Sequence, residues 1–152
     1  MKPLETTVRE VLVGAIASEI ATRDLYRVLA GNADDPHARA KLLELSDRQI
    51  QHRLALEKRY RELVGEEPPA AAQPDVTVPP NVGTLDLARV LRIALEHERE
   101  SESNFRFLAE RADSPELLRL FNELAEMEWK HKAEIQNEYD ALGVDPESML
   151  FE

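Results

Sequence analysis

The 152-residue sequence contains no cysteine, and aromatic residues make up only 5% of it. The absence of cysteine excludes disulfide bonds, thiolate nucleophiles, iron-sulfur clusters and zinc-thiolate sites. Any bound metal must therefore be held by histidine, aspartate, glutamate or amide oxygens. The residues that dominate instead are leucine, alanine, glutamate and arginine, which favour long helices over sheet.

Long hydrophobic runs and an excess of positive charge are also missing. The run from Val11 to Ala17 is short and is followed by Glu19, so we expect no secretory or membrane-spanning segment and a cytoplasmic location. The formal net charge is -11, which argues against nucleic acid or an anionic membrane as a partner. The length suits one domain with a sizeable core.

Apolar residues recur at helical spacing in four segments, two on each side of a proline-rich stretch. This pattern predicts a first helical hairpin at 5–64, an extended crossover at 65–83 and a second hairpin at 84–143. A short tail follows at 144–152. We interpret the whole as a single domain.

Capping residues predict where the helices begin and end. Thr7 can open the first helix, and Gly31 offers a left-handed stop after it. Asp35 and Ser114, each followed by proline, predict the starts of the second and fourth helices. Gly65 predicts the end of the second helix.

Polar residues interrupt the apolar stripe of each helix near its middle. A carboxylate or imidazole in such a stripe is costly to bury unless it is paired or bound to metal. Among the acidic residues around Glu98, which include Glu102, only Glu98 is predicted to face inward. The interrupting residues are Glu19 on the first helix, Gln49 and His52 on the second, Glu98 on the third, and Glu128 and His131 on the fourth.

An internal repeat connects these residues. The second half of the sequence repeats the first with an offset of 79 residues, which identifies a duplicated helical hairpin. If the polar faces pack together, the six polar groups meet at one level and need a counter-charge that divalent metal ions can supply. The alternative is a hydrogen-bonded polar layer that fixes helix register without metal. Matched pairs include Glu19 with Glu98, Pro36 with Pro115, Gln49 with Glu128, His52 with His131, and Tyr60 with Tyr139.

The arrangement resembles the ferritin-like di-iron carboxylate proteins, in which two helices each provide a glutamate and two provide Glu-x-x-His. It is most similar to the ferritin-like domain of rubrerythrins, without their cysteine-ligated rubredoxin-like domain. The resemblance implies an all-α, ferritin-like four-helix bundle of two antiparallel hairpins joined by a long crossover.

The resemblance also implies the ligand roles. Glu19 and His52 would bind one metal ion, Glu98 and His131 would bind the other, and Glu128 would bridge both. Gln49 stands where the family has a second bridging glutamate. Tyr26 would be the remaining phenol that supports the ligands, because Phe105 replaces its counterpart.

The expected cofactor is a pair of iron (Fe) ions, with manganese or zinc as alternatives. The expected activity is that of an oxidoreductase acting on peroxide or dioxygen, and also on ferrous iron, with an external electron donor. The alternative is a non-catalytic metal-binding or interaction bundle with a degenerate site.

A second apolar side of the first helix predicts a homodimer or higher homo-oligomer. The residues of this side are Val11, Val13, Ile16, Ala17 and Ile20.

Overall fold

The computed structural model describes residues 4–70 and 85–143, with side chains from residue 8 onward in the first range. Residues 71–83 of the predicted crossover and the predicted tail at 144–152 lie outside the described residues. The predicted opening of the first helix at Thr7 is wrong, because that helix already begins at Leu4. The described residues form helices without strands. The helices are α1 (Leu4–Asn32), α2 (Pro36–Val64), α3 (Leu87–Glu110) and α4 (Pro115–Ala141).

The chain divides into two compact units. The first hairpin consists of α1 and α2, joined by the turn at 33–35, and the second consists of α3 and α4, joined by the turn at 111–114. Connections this short place consecutive helices antiparallel and side by side. Each hairpin therefore brings the middle of its first helix next to the middle of its second.

The predicted caps of α2 and α4 are confirmed. The backbone N–H of His37 donates to Asp35 Oδ1 at 3.0 Å, and that of Leu117 donates to Ser114 Oγ at 3.2 Å. Each bond satisfies an amide that has no partner inside its helix. Gly65 ends α2 with φ of 80°, and its N–H donates to the Arg61 carbonyl oxygen.

The predicted stop at Gly31 is wrong. The helix continues through Asn32, and among the described glycines only Gly65 and Gly143 have positive φ. Asn32 Nδ2 donates to the Val28 carbonyl oxygen at 2.8 Å, so a side chain satisfies one of the last carbonyl groups. A left-handed residue is therefore not needed at this end.

The predicted apolar stripes form the cores of the hairpins. In the first hairpin Leu12, Tyr26 and Leu42 are fully buried, and in the second Leu91 and Ile135 are fully buried. The predicted stripes also include Leu63 near the end of α2 and Leu142 directly after α4, and both of these residues are exposed. A stripe spaced by alternate threes and fours drifts around a helix of 3.6 residues per turn, so its last members leave the buried face.

The second apolar side of α1 is only partly exposed. Ile16 and Ile20 are buried, Val11 and Val13 are half-buried, and Ala17 is exposed. Less apolar surface is thus available for self-association than the sequence predicts.

No helix in the described ranges combines the length and the apolar character needed to cross a bilayer.

Candidate metal centre

In the first hairpin, a glutamate and a histidine from different helices meet within the buried face. Glu19 lies in the middle of the α1 stripe and is 7% exposed. His52 Nδ1 on α2 lies 3.6 Å from Glu19 Oε2. At this distance the pair makes an electrostatic contact and not a hydrogen bond.

The second hairpin contains the same pair in a tighter form. His131 Nδ1 on α4 lies 2.9 Å from Glu98 Oε1 on α3, and both side chains are buried. Glu128 lies three residues before His131 and is also buried. One ligand atom of Glu128 and one of His131 lie within 4.8 Å of each other.

The two pairs occupy equivalent positions, because Glu98 and His131 follow Glu19 and His52 by 79 residues. Each hairpin therefore positions a carboxylate and an imidazole by the same means, namely two antiparallel helices with polar residues at matching depth. We call each set a half-site. The first half-site is Glu19, Gln49 and His52, and the second is Glu98, Glu128 and His131.

The chemistry of the second half-site suits a cation. Glu98 and Glu128 are each 2% exposed, and burial of carboxylates is expensive unless a positive charge compensates. Carboxylate oxygen and imidazole nitrogen together form a donor set that accepts iron, manganese or zinc. The residues present thus fit a metal of this class.

The first half-site carries less negative charge. Gln49 is 3% exposed and lies three residues before His52, where the second half-site has Glu128. Its amide oxygen can accept a hydrogen bond or bind a metal ion, but it carries no negative charge. Tyr26 is fully buried seven residues after Glu19, and Phe105 takes the equivalent place on α3.

Glu102 was predicted to be exposed, and that prediction is wrong, since the residue is 8% exposed. Lys132 Nζ donates to Glu102 Oε1, and Arg106 Nε donates to Oε2 at 2.8 Å. The hydrogen bond from Lys132 holds the pKa of Glu102 below its ordinary value; burial opposes this effect, and Arg106 reinforces it. The sequence signals for this ion pair are the i,i+4 spacing of Glu102 and Arg106 and the place of Lys132 beside His131.

Comparison with solved structures supports the fold. A hypothetical protein from Pyrococcus furiosus is 26% identical, with a TM-score of 0.59 and coverage of 89% of each chain. A conserved hypothetical protein, rv2844, from Mycobacterium tuberculosis is 21% identical, with a TM-score of 0.62 and coverage of 93% of this chain and 95% of the other. No curated protein matches the sequence.

The family model described as Rubrerythrin matches residues 10–139, a range that contains all four helix cores and both half-sites. The predicted fold class is confirmed: the protein is a helical bundle of the ferritin-like type. The roles of the six half-site residues in metal binding stay a prediction. The match covers most of the chain, and the protein therefore belongs to the rubrerythrin family.

Proposed function

We propose that the two half-sites jointly bind two metal ions, with iron as the expected metal, and that the protein is a rubrerythrin-like oxidoreductase. Its substrates would be peroxide or dioxygen, and ferrous iron would be a further substrate. One observation carries the proposal: each hairpin contains a glutamate and histidine contact at an equivalent position, Glu19 with His52 and Glu98 with His131. Family membership supports it.

The ligand roles follow from the duplicated pattern. Glu19 and His52 would bind one ion, Glu98 and His131 would bind the other, and Glu128 would contribute to both. Gln49 would act as a neutral ligand or as a hydrogen-bond donor. When bound, iron supplies the electron-transfer chemistry toward small oxidants.

The protein's own contribution is orientation and exclusion of water. The 2.9 Å contact between His131 Nδ1 and Glu98 Oε1 fixes the imidazole relative to the carboxylate, so little side-chain freedom is lost on binding. Burial of Glu98 and Glu128 keeps both carboxylates away from bulk water, which strengthens their interaction with a cation.

Turnover would require an external electron donor, since the sequence has no cysteine with which to hold an electron-delivering iron centre. We propose a cytoplasmic protein that works as a homodimer or higher homo-oligomer. Its partners would be the small oxidant and the donor.

The burial of Gln49 favours a second candidate function. An uncharged amide, 3% exposed at the position equivalent to Glu128, removes one carboxylate from the set expected for the family. A site with fewer charges would bind metal without redox turnover. In this case the protein would be a metal-binding or interaction bundle.

Anaerobic loading with ferrous iron, followed by addition of peroxide or air, separates the two candidates. The oxidoreductase proposal predicts iron oxidation in stoichiometric amounts and consumption of peroxide, both lost in His131→Ala. His37→Ala is the matched control, because His37 is exposed and lies outside the half-sites. Binding without oxidation would favour a metal-binding bundle. Absence of binding would contradict both the oxidoreductase and the metal-binding bundle and would leave the interaction bundle.

A further inference from the structure

A cleft of about 500 Å³ lies on the second hairpin between α3 and α4, apart from the half-site. Arg89, Arg92 and Arg99 line it from α3, and Gln136 and Tyr139 line it from α4. We propose that this cleft binds a small organic molecule through a carboxylate or phosphate group. The proposal does not depend on the function proposed for the metal centre.

Helix geometry explains the concentration of arginine in the cleft. Arg92 and Arg99 follow Arg89 by three and ten residues, and these spacings place all three side chains on one face of α3. Gln136 and Tyr139 are three residues apart on α4 and share a face in the same way. The antiparallel packing of α3 against α4 sets these two faces beside each other.

The charge of the cleft is opposite to that of the chain. Three arginines line it in a protein of net charge -11, and Glu96 is the acidic residue of its lining. Arg89 also takes part in a further polar interaction of its own. Arg99 Nη1 lies 3.3 Å from Glu96 Oε2 with both side chains 60% exposed, so a ligand can displace this weak pair. Asp140 accepts a hydrogen bond from Gln136.

Arg92 is the strongest point of attraction. Within the part of the chain that the structure describes, it has no acidic partner at ion-pair distance, and it is exposed to the cleft. An arginine presents a planar set of donors that matches the oxygens of a carboxylate or phosphate. The first turn of α3, which begins at Leu87 and contains Arg89, adds a positive helix dipole at that end of the cleft.

The first hairpin shows that the basic cleft is not a property of the repeated scaffold. The residues 79 positions before Arg89, Arg92 and Arg99 are Glu10, Val13 and Ile20. The equivalent face of α1 is therefore apolar and acidic. The two hairpins share their buried pairs and differ in the chemistry of this face of their first helices, which in α1 includes the buried Ile20.

The remaining lining indicates what the anion would be attached to. Ile93 and Leu95 provide apolar surface, and the half-buried Tyr139 provides a ring and a hydroxyl group. The volume falls within the range of small-molecule sites. An oxyanion on a ring or short apolar body matches this combination.

Calorimetric titration of the full-length protein with phenyl phosphate and with benzoate tests the proposal, with benzyl alcohol as the uncharged control. We expect at least one of the two anions to bind, and the tighter one identifies the preferred group. Arg92→Gln should weaken that binding roughly tenfold or more, because a charged hydrogen-bonding group is lost. Arg119→Gln, which removes an exposed arginine of α4 outside the cleft, should leave it unchanged.

The metal content must be the same in every sample, so that binding of the anion at the metal centre cancels between variants. Absence of binding for both anions would overturn the proposal. Equal weakening by Arg92→Gln and Arg119→Gln would also overturn it, because it would show a general charge effect. Equal binding of benzyl alcohol would show that the oxyanion is not recognised.

Discussion

Gln49→Glu should destabilise the metal-free protein and stabilise the metal-bound protein. Gln49 is 3% exposed, so the new carboxyl group is buried and can avoid the cost of a buried charge only by remaining protonated. Holding a carboxyl group with an ordinary pKa near 4.3 protonated at pH 7 costs about 3.7 kcal/mol, at about 1.36 kcal/mol for each pH unit. This value is the upper limit of the part of the loss that comes from the charge of the new carboxyl group.

The loss converts into a decrease in Tm of roughly 7 to 15 °C for a protein of this size. Thermal unfolding followed by circular dichroism, first with chelator and then with manganese, measures both effects. With manganese bound, the new carboxylate gains a counter-charge, and the variant should regain or exceed the stability of the metal-bound wild type. Gln51→Glu is the matched control, because Gln51 is exposed on the same helix, and its Tm should hardly change.

Two results would refute the reasoning. If the Gln49→Glu variant were destabilised with chelator and manganese did not reverse the loss, residue 49 would not face the metal. If the variant behaved like Gln51→Glu in chelator, the site would already compensate a further charge without metal.

Three further predictions concern other residues. Glu128→Ala should release both metal ions, as measured by metal analysis, and retention of two ions would contradict its shared role. Glu102→Gln should lower the free energy of unfolding by about 1 to 2 kcal/mol at neutral pH. The pKa of Glu102 is lowered in the folded state, so the full difference in stability should be present above the ordinary carboxyl pKa and should disappear as the pH falls through the lowered pKa. Denaturant titrations at several pH values measure this difference. A difference independent of pH would contradict the role of Lys132. Asp35→Ala should cost about 1 kcal/mol in the same assay, whereas Asp34→Ala, at an exposed neighbouring position, should cost little.

Much of the fold follows from local chemistry that is visible in the sequence. Asp35 and Ser114 cap helices because their side chains accept bonds from nearby amides, and Gly65 ends one because it adopts positive φ at little cost. Gly31 was misinterpreted because Asn32 offers a competing local bond. Such competition between adjacent residues is decided by energies too small to judge from residue types alone.

Metal binding by the half-sites stays a prediction, but the contacts of Glu19 with His52 and of Glu98 with His131 were predictable because the 79-residue repeat marks the same polar positions twice. Glu102 was not, since its burial depends on Lys132 from the other helix of its hairpin, a contact between residues 30 positions apart. The sequence analysis does not predict the cleft beside Arg92, because the cleft forms only where α4 packs beside α3 and supplies its second wall. The periodicity of a sequence therefore does not show which charged side chains of different helices come together.

The number of metal ions that each chain holds decides whether the half-sites form a metal centre. Full-length protein would be loaded anaerobically with ferrous iron, desalted and analysed for metal, beside a variant that combines Glu98→Ala with His131→Ala. We expect up to two ions per chain in the wild type and a large loss of metal in the variant. Wild-type protein that retains no metal, or a variant that retains as much as the wild type, would contradict it.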